Sequence, residues 1–277
     1  MLRSVLVALD GSANSEPATT LAIDWAARFG AHLIGLGVLD EPAIHKAEPV
    51  PLGGGAYKKA RDEARMADAH HRITGFLAEF SARSAAAGVS ADVLEDIGDP
   101  ADSILHEAHR CDVVILARET HFHFETQERP DETLAQILRG CPRPVVVVPH
   151  TLPESHGVVV AYGGGREAAR TLQTFQSLGL AAGEDTEVVT IHRDGAVAEA
   201  TAHLAGAFLT AHGARHRLHP VASGVAPAKV LLEHLTFCRP RLLVMGAHAH
   251  HPLRDLFAAS VTRAVLAACP VPAFIGA

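Results

Sequence analysis

A chain of 277 residues with 48% hydrophobic side chains is long enough for two domains, each with its own core. It has no apolar run of membrane-spanning length, and its 4 cysteines are too few for a disulfide framework, so a soluble protein of the reducing cytosol is expected, with no membrane partner. The net charge of −7 is concentrated in residues 1–150, and that acidity argues against a nucleic-acid surface.

Residues 3–9 are an apolar, β-branched run that reads as a buried parallel strand, and no signal peptide is expected ahead of it. Asn14-Ser15-Glu16-Pro17 starts a helix whose apolar face carries Ala18, Leu21, Ala22, Trp25 and Phe29, and Gly30 stops it. His32 to Val38 is a second strand. Residues 41–56, rich in Pro and Gly, read as a loop. A long helix is expected over 57–87 with the mixed charge of a solvated face, then a third strand over Ser90–Asp96. Asp99 caps a helix with Pro100 at its first position. Val113–Leu116 is the fourth strand, a polar stretch covers 118–131, a fourth helix follows, and Val145–Val148 is the fifth strand.

Residues 151–277 repeat the order. Strands are expected at 157–162, 186–192, 215–221, 241–246 and 271–276, with helices at 166–180, 196–212, 225–237 and 256–268. Ser4-Val-Leu-Val-Ala-Leu-Asp10-Gly11-Ser12 and Val158-Val-Val-Ala-Tyr-Gly163-Gly164-Gly165 are matching strand-to-turn segments. Cys141-Pro142 and Cys269-Pro270 lead the two last strands, with each Cys read as a small packing residue. The repeat is too long for a solenoid unit and marks a duplicated domain, with boundaries at 1–150 and 151–277. Alternating strands and helices predict two doubly wound α/β domains, each with a five-stranded parallel sheet. Such sheets bind ligands at the carboxyl ends of strands where the strand order reverses, which directs attention to the turns after the first and fourth strands.

Those turns carry a family likeness. Val7-Ala-Leu-Asp10-Gly11-Ser12, Gly98-Asp99-Pro100-Ala101, the paired Cys-Pro leads, and Val244-Met245-Gly246 followed by Ser260-Val261 resemble a tandem universal stress protein of the UspA type. The resemblance implies an adenine nucleotide alpha hydrolase-like fold and an internal pseudo-dimer paired through the last strands, Val145–Val148 and Val271–Ile275. It leaves a monomer or a homodimer open. One class of the family binds ATP through Gly, two residues, Gly, nine residues, then Gly-Ser or Gly-Thr, with an Asp after the first strand on the nucleoside. Backbone N–H groups at such glycines cradle phosphate.

The nucleotide-binding candidates carried over are Asp10, Gly11, Ser12 and Val38 in the first half, and Gly163, Gly246, Ala249, Ala259 and Ser260 in the second. Both sets are degenerate. The first half keeps Asp10 but has Glu119, Glu125, Glu128, Asp131 and Glu132 where phosphate would lie. The second keeps the spacing, with Ala249 and Ala259 in place of glycines, and has Gly163 where Asp10 stands. His121 and His123 in one half, and His248, His250 and His251 in the other, fall in equivalent loops and are candidate zinc ligands, with His216 and His219 elsewhere in the second half. The expected function is a cytosolic stress-response regulatory or binding protein with protein partners. Its alternatives are an adenine-nucleotide switch working through the second half and a zinc-binding protein using the loop histidines. No catalytic residues are expected, and at most slow ATP hydrolysis.

Overall fold

The computed structural model describes residues 1–49, 51, 54–123, 131–247 and 256–276, with the backbone alone for 256–260. The chain divides into two compact units, Arg3–Gly140 and Cys141–Ala277 with Met1–Leu2.

The first unit holds β1 (Ser4–Leu9), α1 (Glu16–Phe29), β2 (His32–Leu39), α2 (Glu41–Ile44), α3 (Gly55–Ala86), β3 (Ala91–Ile97), α4 (Pro100–Ala108), β4 (Val113–Ala117) and α5 (Thr133–Gly140). Its strands lie in the order β3-β2-β1-β4. All the pairs are parallel, with Leu6 opposite Ile34 on one side and Val114 on the other. Val5, Leu6 and Val7 are each fully buried, as a strand covered on both faces requires. The order reverses at β1, so the turns after β1 and β4 open on the same crevice.

Two glycines let α3 approach β2. A methyl on Gly35 would lie 2.5 Å from Phe80 Cε1, and one on Gly37 would lie 2.8 Å from Ile73 Cγ2. The helix buries a narrow stripe that includes Ile73, Leu77 and Phe80, at the three- and four-residue spacing of one helical face. Its one buried acid, Asp62, is paired with Lys58 and Arg61, and the Lys58 ammonium holds its carboxyl below the usual carboxylate range.

The second unit holds β5 (Val145–Val148), β6 (Val158–Ala161), α6 (Arg166–Ser177), β7 (Thr186–His192), α7 (Gly195–Ala211), β8 (His216–Ala222), α8 (Pro227–Cys238), β9 (Leu242–Gly246), α9 (Leu256–Ala268) and β10 (Ala273–Gly276). Its strand order is β5-β10-β9-β6-β7-β8. β6 sits parallel between β7 and β9, as β1 sits between β2 and β4. The two last strands of the repeats do pair. β5 runs antiparallel to β10, with Val146 opposite Phe274. Contacts therefore group β5 with the second unit, although it ends the first repeat in sequence.

The expected loop over 41–56 contains the short helix α2. Asp40 caps it by accepting from the Ala43 amide at 3.0 Å, and Pro42 occupies its first turn. The same pairing of Asp and Pro opens α4, where Asp99 accepts from the amides of Ala101 and Asp102. No helix among the described residues is long and apolar enough to cross a membrane.

Candidate functional site

The β1 turn of the first unit is built around one carboxylate. Asp10 is 4% exposed. Its Oδ1 accepts from the Ser12 amide at 2.9 Å and from the Ser12 hydroxyl at 2.7 Å. Its Oδ2 accepts from the His121 amide at 2.7 Å. Gly11 between them has φ +69, and a methyl there would lie 2.4 Å from Phe76 Cδ1, so the turn needs glycine for both its backbone and its neighbour. The protein's own donors thus take three of the about four acceptor sites of the Asp10 carboxylate.

The segment after β4, residues 118–123, forms a strap over this turn. Thr120 and Phe122 are buried, and the Phe122 amide donates to Asp131 Oδ2 at 3.1 Å. Asp131 also caps the start of α5 through the Thr133 amide at 2.8 Å. The two histidines flanking Phe122 have separate partners. His121 Nε2 lies 3.2 Å from Asn14 Nδ2. His123 Nδ1 is hydrogen-bonded to Asp40 Oδ2, and its Nε2 lies 3.6 Å from Asp131 Oδ1.

Three carboxylates, Asp40, Asp99 and Asp131, surround His123. The hydrogen bond to Asp40 raises its pKa most, burial opposes it, and the charges of Asp131, Asp40 and Asp99 add to the rise. A group whose folded pKa lies above its unfolded value of about 6.5 stabilises the fold fully below that pH and loses the contribution as pH rises through the folded value. Denaturant titrations at a series of pH values from about 6 upward should therefore show a loss of stability that His123→Gln abolishes. Equal slopes in the two proteins would remove His123 as its source.

A cavity of about 390 Å³ remains beside the turn, lined by Asp10, Gly11, Ser12, Arg72, Phe76 and His121. Its size suits a small ligand. Its one aromatic face is Phe76 and its permanent cation is Arg72, which also pairs with Asp68 at 3.1 Å. Val38 does not reach this cavity's lining. It is buried within β2, and Asp40, which follows that strand, meets the His123 ring of the strap.

The second unit keeps the turn and loses the acid. Gly164 has φ +76 and corresponds to Gly11, and a methyl there would lie 2.9 Å from Thr201 Cγ2. Gly163 corresponds to Asp10 and has nothing within 4 Å of where a side chain would begin. Gly246 ends β9 against α6, where a methyl would lie 2.8 Å from the Ala168 amide nitrogen. Packing accounts for that glycine without a phosphate. Ala249, His248, His250 and His251 lie outside the described residues. For Ala259 and Ser260 the structure describes only the α9 backbone. Cys141 and Cys269 are buried before β5 and β10, consistent with packing roles, and burial pushes the Cys141 thiol up.

A parallel sheet with this strand order, a left-handed glycine after the first strand and a cavity at the strand ends define an α/β protein of the class that holds small ligands at that edge. The sequence profile of the Universal stress protein family matches residues 1–149, so the chain belongs to that family. It is 24% identical over 282 residues to the Universal stress protein Slr1230 of Synechocystis, covering 98% of each chain. Its fold is similar to that of a universal stress protein from Archaeoglobus fulgidus, with a TM-score of 0.75 at 19% identity over 99% of this chain and 97% of that one. It is also similar to a functionally unknown protein from Pseudomonas aeruginosa, with a TM-score of 0.64 at 14% identity over 99% of this chain and 92% of that one.

Proposed function

We propose that this chain is a non-catalytic regulatory protein of the universal stress family that acts through a protein partner in the cytosol, with its first-unit nucleotide site closed by its own strap. The observation that carries this reading is the engagement of Asp10 by the amides of Ser12 and His121 and the Ser12 hydroxyl. The acid that would read a nucleoside serves as a strut of the turn. Glu119 belongs to the strap and Asp131 accepts from its Phe122 amide, and like charge disfavours a triphosphate there.

The test is a melting experiment on the full chain with millimolar ATP and Mg²⁺. A ligand present at about 100 times its Kd would stabilise its unit by about 2.7 kcal/mol, a shift of several degrees. An unchanged melting curve and no nucleotide released on denaturing the fresh protein are the expected results. Stoichiometric ATP, ADP or AMP in the released fraction, or a shift of several degrees, would overturn the reading.

One observation favours a second reading, a nucleotide switch in the second unit: the left-handed turn at Gly164 survives there without an acid to occupy it. That reading requires ATP to slow amide hydrogen exchange at the start of α6 and leave α1 unchanged.

A further inference from the structure

The second unit gathers three metal-binding side chains far along the sheet from the Gly164 turn. Glu187 is the second residue of β7, at its amino end. His234 and Cys238 stand one helical turn apart on α8, so both project from the same face. The Glu187 carboxylate, a His234 ring nitrogen and the Cys238 sulfur all lie within 4.8 Å of one another. His234 Nε2 is 2.9 Å from Glu187 Oε2. We propose that Glu187, His234 and Cys238 form a Zn²⁺ site.

The donor set favours this metal. One thiolate, one imidazole and one carboxylate are the ligand types zinc takes, at about 2.0–2.3 Å each. Donors on a tetrahedron of that size stand about 3.5 Å apart. With all donors within 4.8 Å of one another and the His234–Glu187 pair at 2.9 Å, the widest separations must close and that pair must open by about an ångström or less, within the reach of side-chain rotation on fixed backbones. The charges also balance. A carboxylate and a thiolate neutralise the dication, so no net charge is buried. Cys238 is protonated without metal, and its proton leaves to solvent as the Zn–S bond forms.

The surroundings orient the ligands. Arg217 Nε lies 3.2 Å from Glu187 Oε1 and can keep that oxygen while Oε2 turns to the metal. Arg217 and Glu187 are register partners on β8 and β7, which fixes this approach. The His219 ring stacks on His234 with centroids 4.7 Å apart, and its Nδ1 lies 3.7 Å from Glu187 Oε1. A cavity of about 400 Å³ is lined by Glu187 and Cys238, together with Asp185, Arg215 and His216. It leaves the fourth position of the tetrahedron accessible to water. In the absence of metal the same carboxylate is held by Arg217, His234 and His219, which is the competing account of why these residues meet.

This site shares no residue with the strand-end turn, so its failure leaves the regulatory reading intact. The test uses the full chain, metal-stripped and kept reduced, in competition with a chromophoric zinc chelator. One equivalent of Zn²⁺ should be taken from the chelator. His234→Gln and Cys238→Ser should each weaken binding at least tenfold, and His203→Asn, an exposed histidine on α7, should not. Co²⁺ provides a readout that needs no variant. The wild-type protein should show a thiolate-to-cobalt charge-transfer band in the near ultraviolet. No uptake of Zn²⁺, uptake unaffected by folded His234→Gln and Cys238→Ser, or bound Co²⁺ without that band would each overturn the site. Loss of binding only on replacing His121 or His248 would overturn it in favour of the loop histidines.

Discussion

Truncating Phe122 to alanine is expected to destabilise the first unit by about 3–5 kcal/mol, the cost of removing a large buried aromatic side chain. Phe122 is 1% exposed, and it is the apolar anchor between His121 and His123. Its neighbours tie the strap to the turn and to β2's exit, through the His121 amide to Asp10 and the His123 ring to Asp40. Both links depend on the strap lying down, so the loss should spread beyond the cavity left by the ring. Trp25 is the only tryptophan, lies in α1 and is 2% exposed, so its fluorescence reports unfolding of the first unit alone. The measurement is a urea titration followed at that tryptophan, with the His123 ring followed by NMR. The midpoint should fall, and the His123 pKa should move back toward about 6.5 as its carboxylates disperse. A shift under about 1 kcal/mol with an unchanged His123 titration would mean the strap is held by other means.

Much of this architecture is legible in the chain because its causes are local. The apolar run over Ser4–Leu9, the cap at Asp99-Pro100 and the stop at Gly30 each act within a few residues. The pairing of β5 with β10 follows from two short apolar segments and the family resemblance. The helix α2 was hidden because Pro42 and the glycines beyond it suggest a loop, although Asp40 followed by Pro42 is itself a capping signal.

The site was less legible. Asp10 and His121 are 111 positions apart, and the strap that engages Asp10 is visible only once β4 lies beside β1. Asp40 carried no sign of its bond to a histidine 83 positions later. Glu187, His219 and His234 come from two strands and a helix, and the approach of His234 to Glu187 depends on how α8 crosses β7. Periodicity reports which face a residue occupies, and it does not report which neighbour it meets there.

Gly246 separates packing from ligand chemistry in the second unit. It ends the Val244-Met245-Gly246 segment that resembles a phosphate loop, so its replacement would be expected to affect ATP if the loop is functional. The structure gives a different reason for the glycine. A methyl at this position would lie 2.8 Å from the Ala168 nitrogen and 2.9 Å from the Glu167 carbonyl carbon. Both are backbone atoms of α6 and cannot rotate away, so either the helix or the strand must move. Gly246→Ala should therefore destabilise the second unit by about 1–3 kcal/mol, the usual cost of forcing an extra group into a packed interior. Gly163→Ala is the matched control. That position has open space and no positive φ, so substitution should be neutral or add about 0.4–1 kcal/mol by restricting the unfolded chain. The effects are read by hydrogen exchange of the α6 amides in the absence of any nucleotide. Faster exchange in Gly246→Ala with slower or equal exchange in Gly163→Ala identifies a packing glycine. Unchanged exchange in both, with ATP stabilisation lost only in Gly246→Ala, would make Gly246 a ligand contact and the second unit the nucleotide switch.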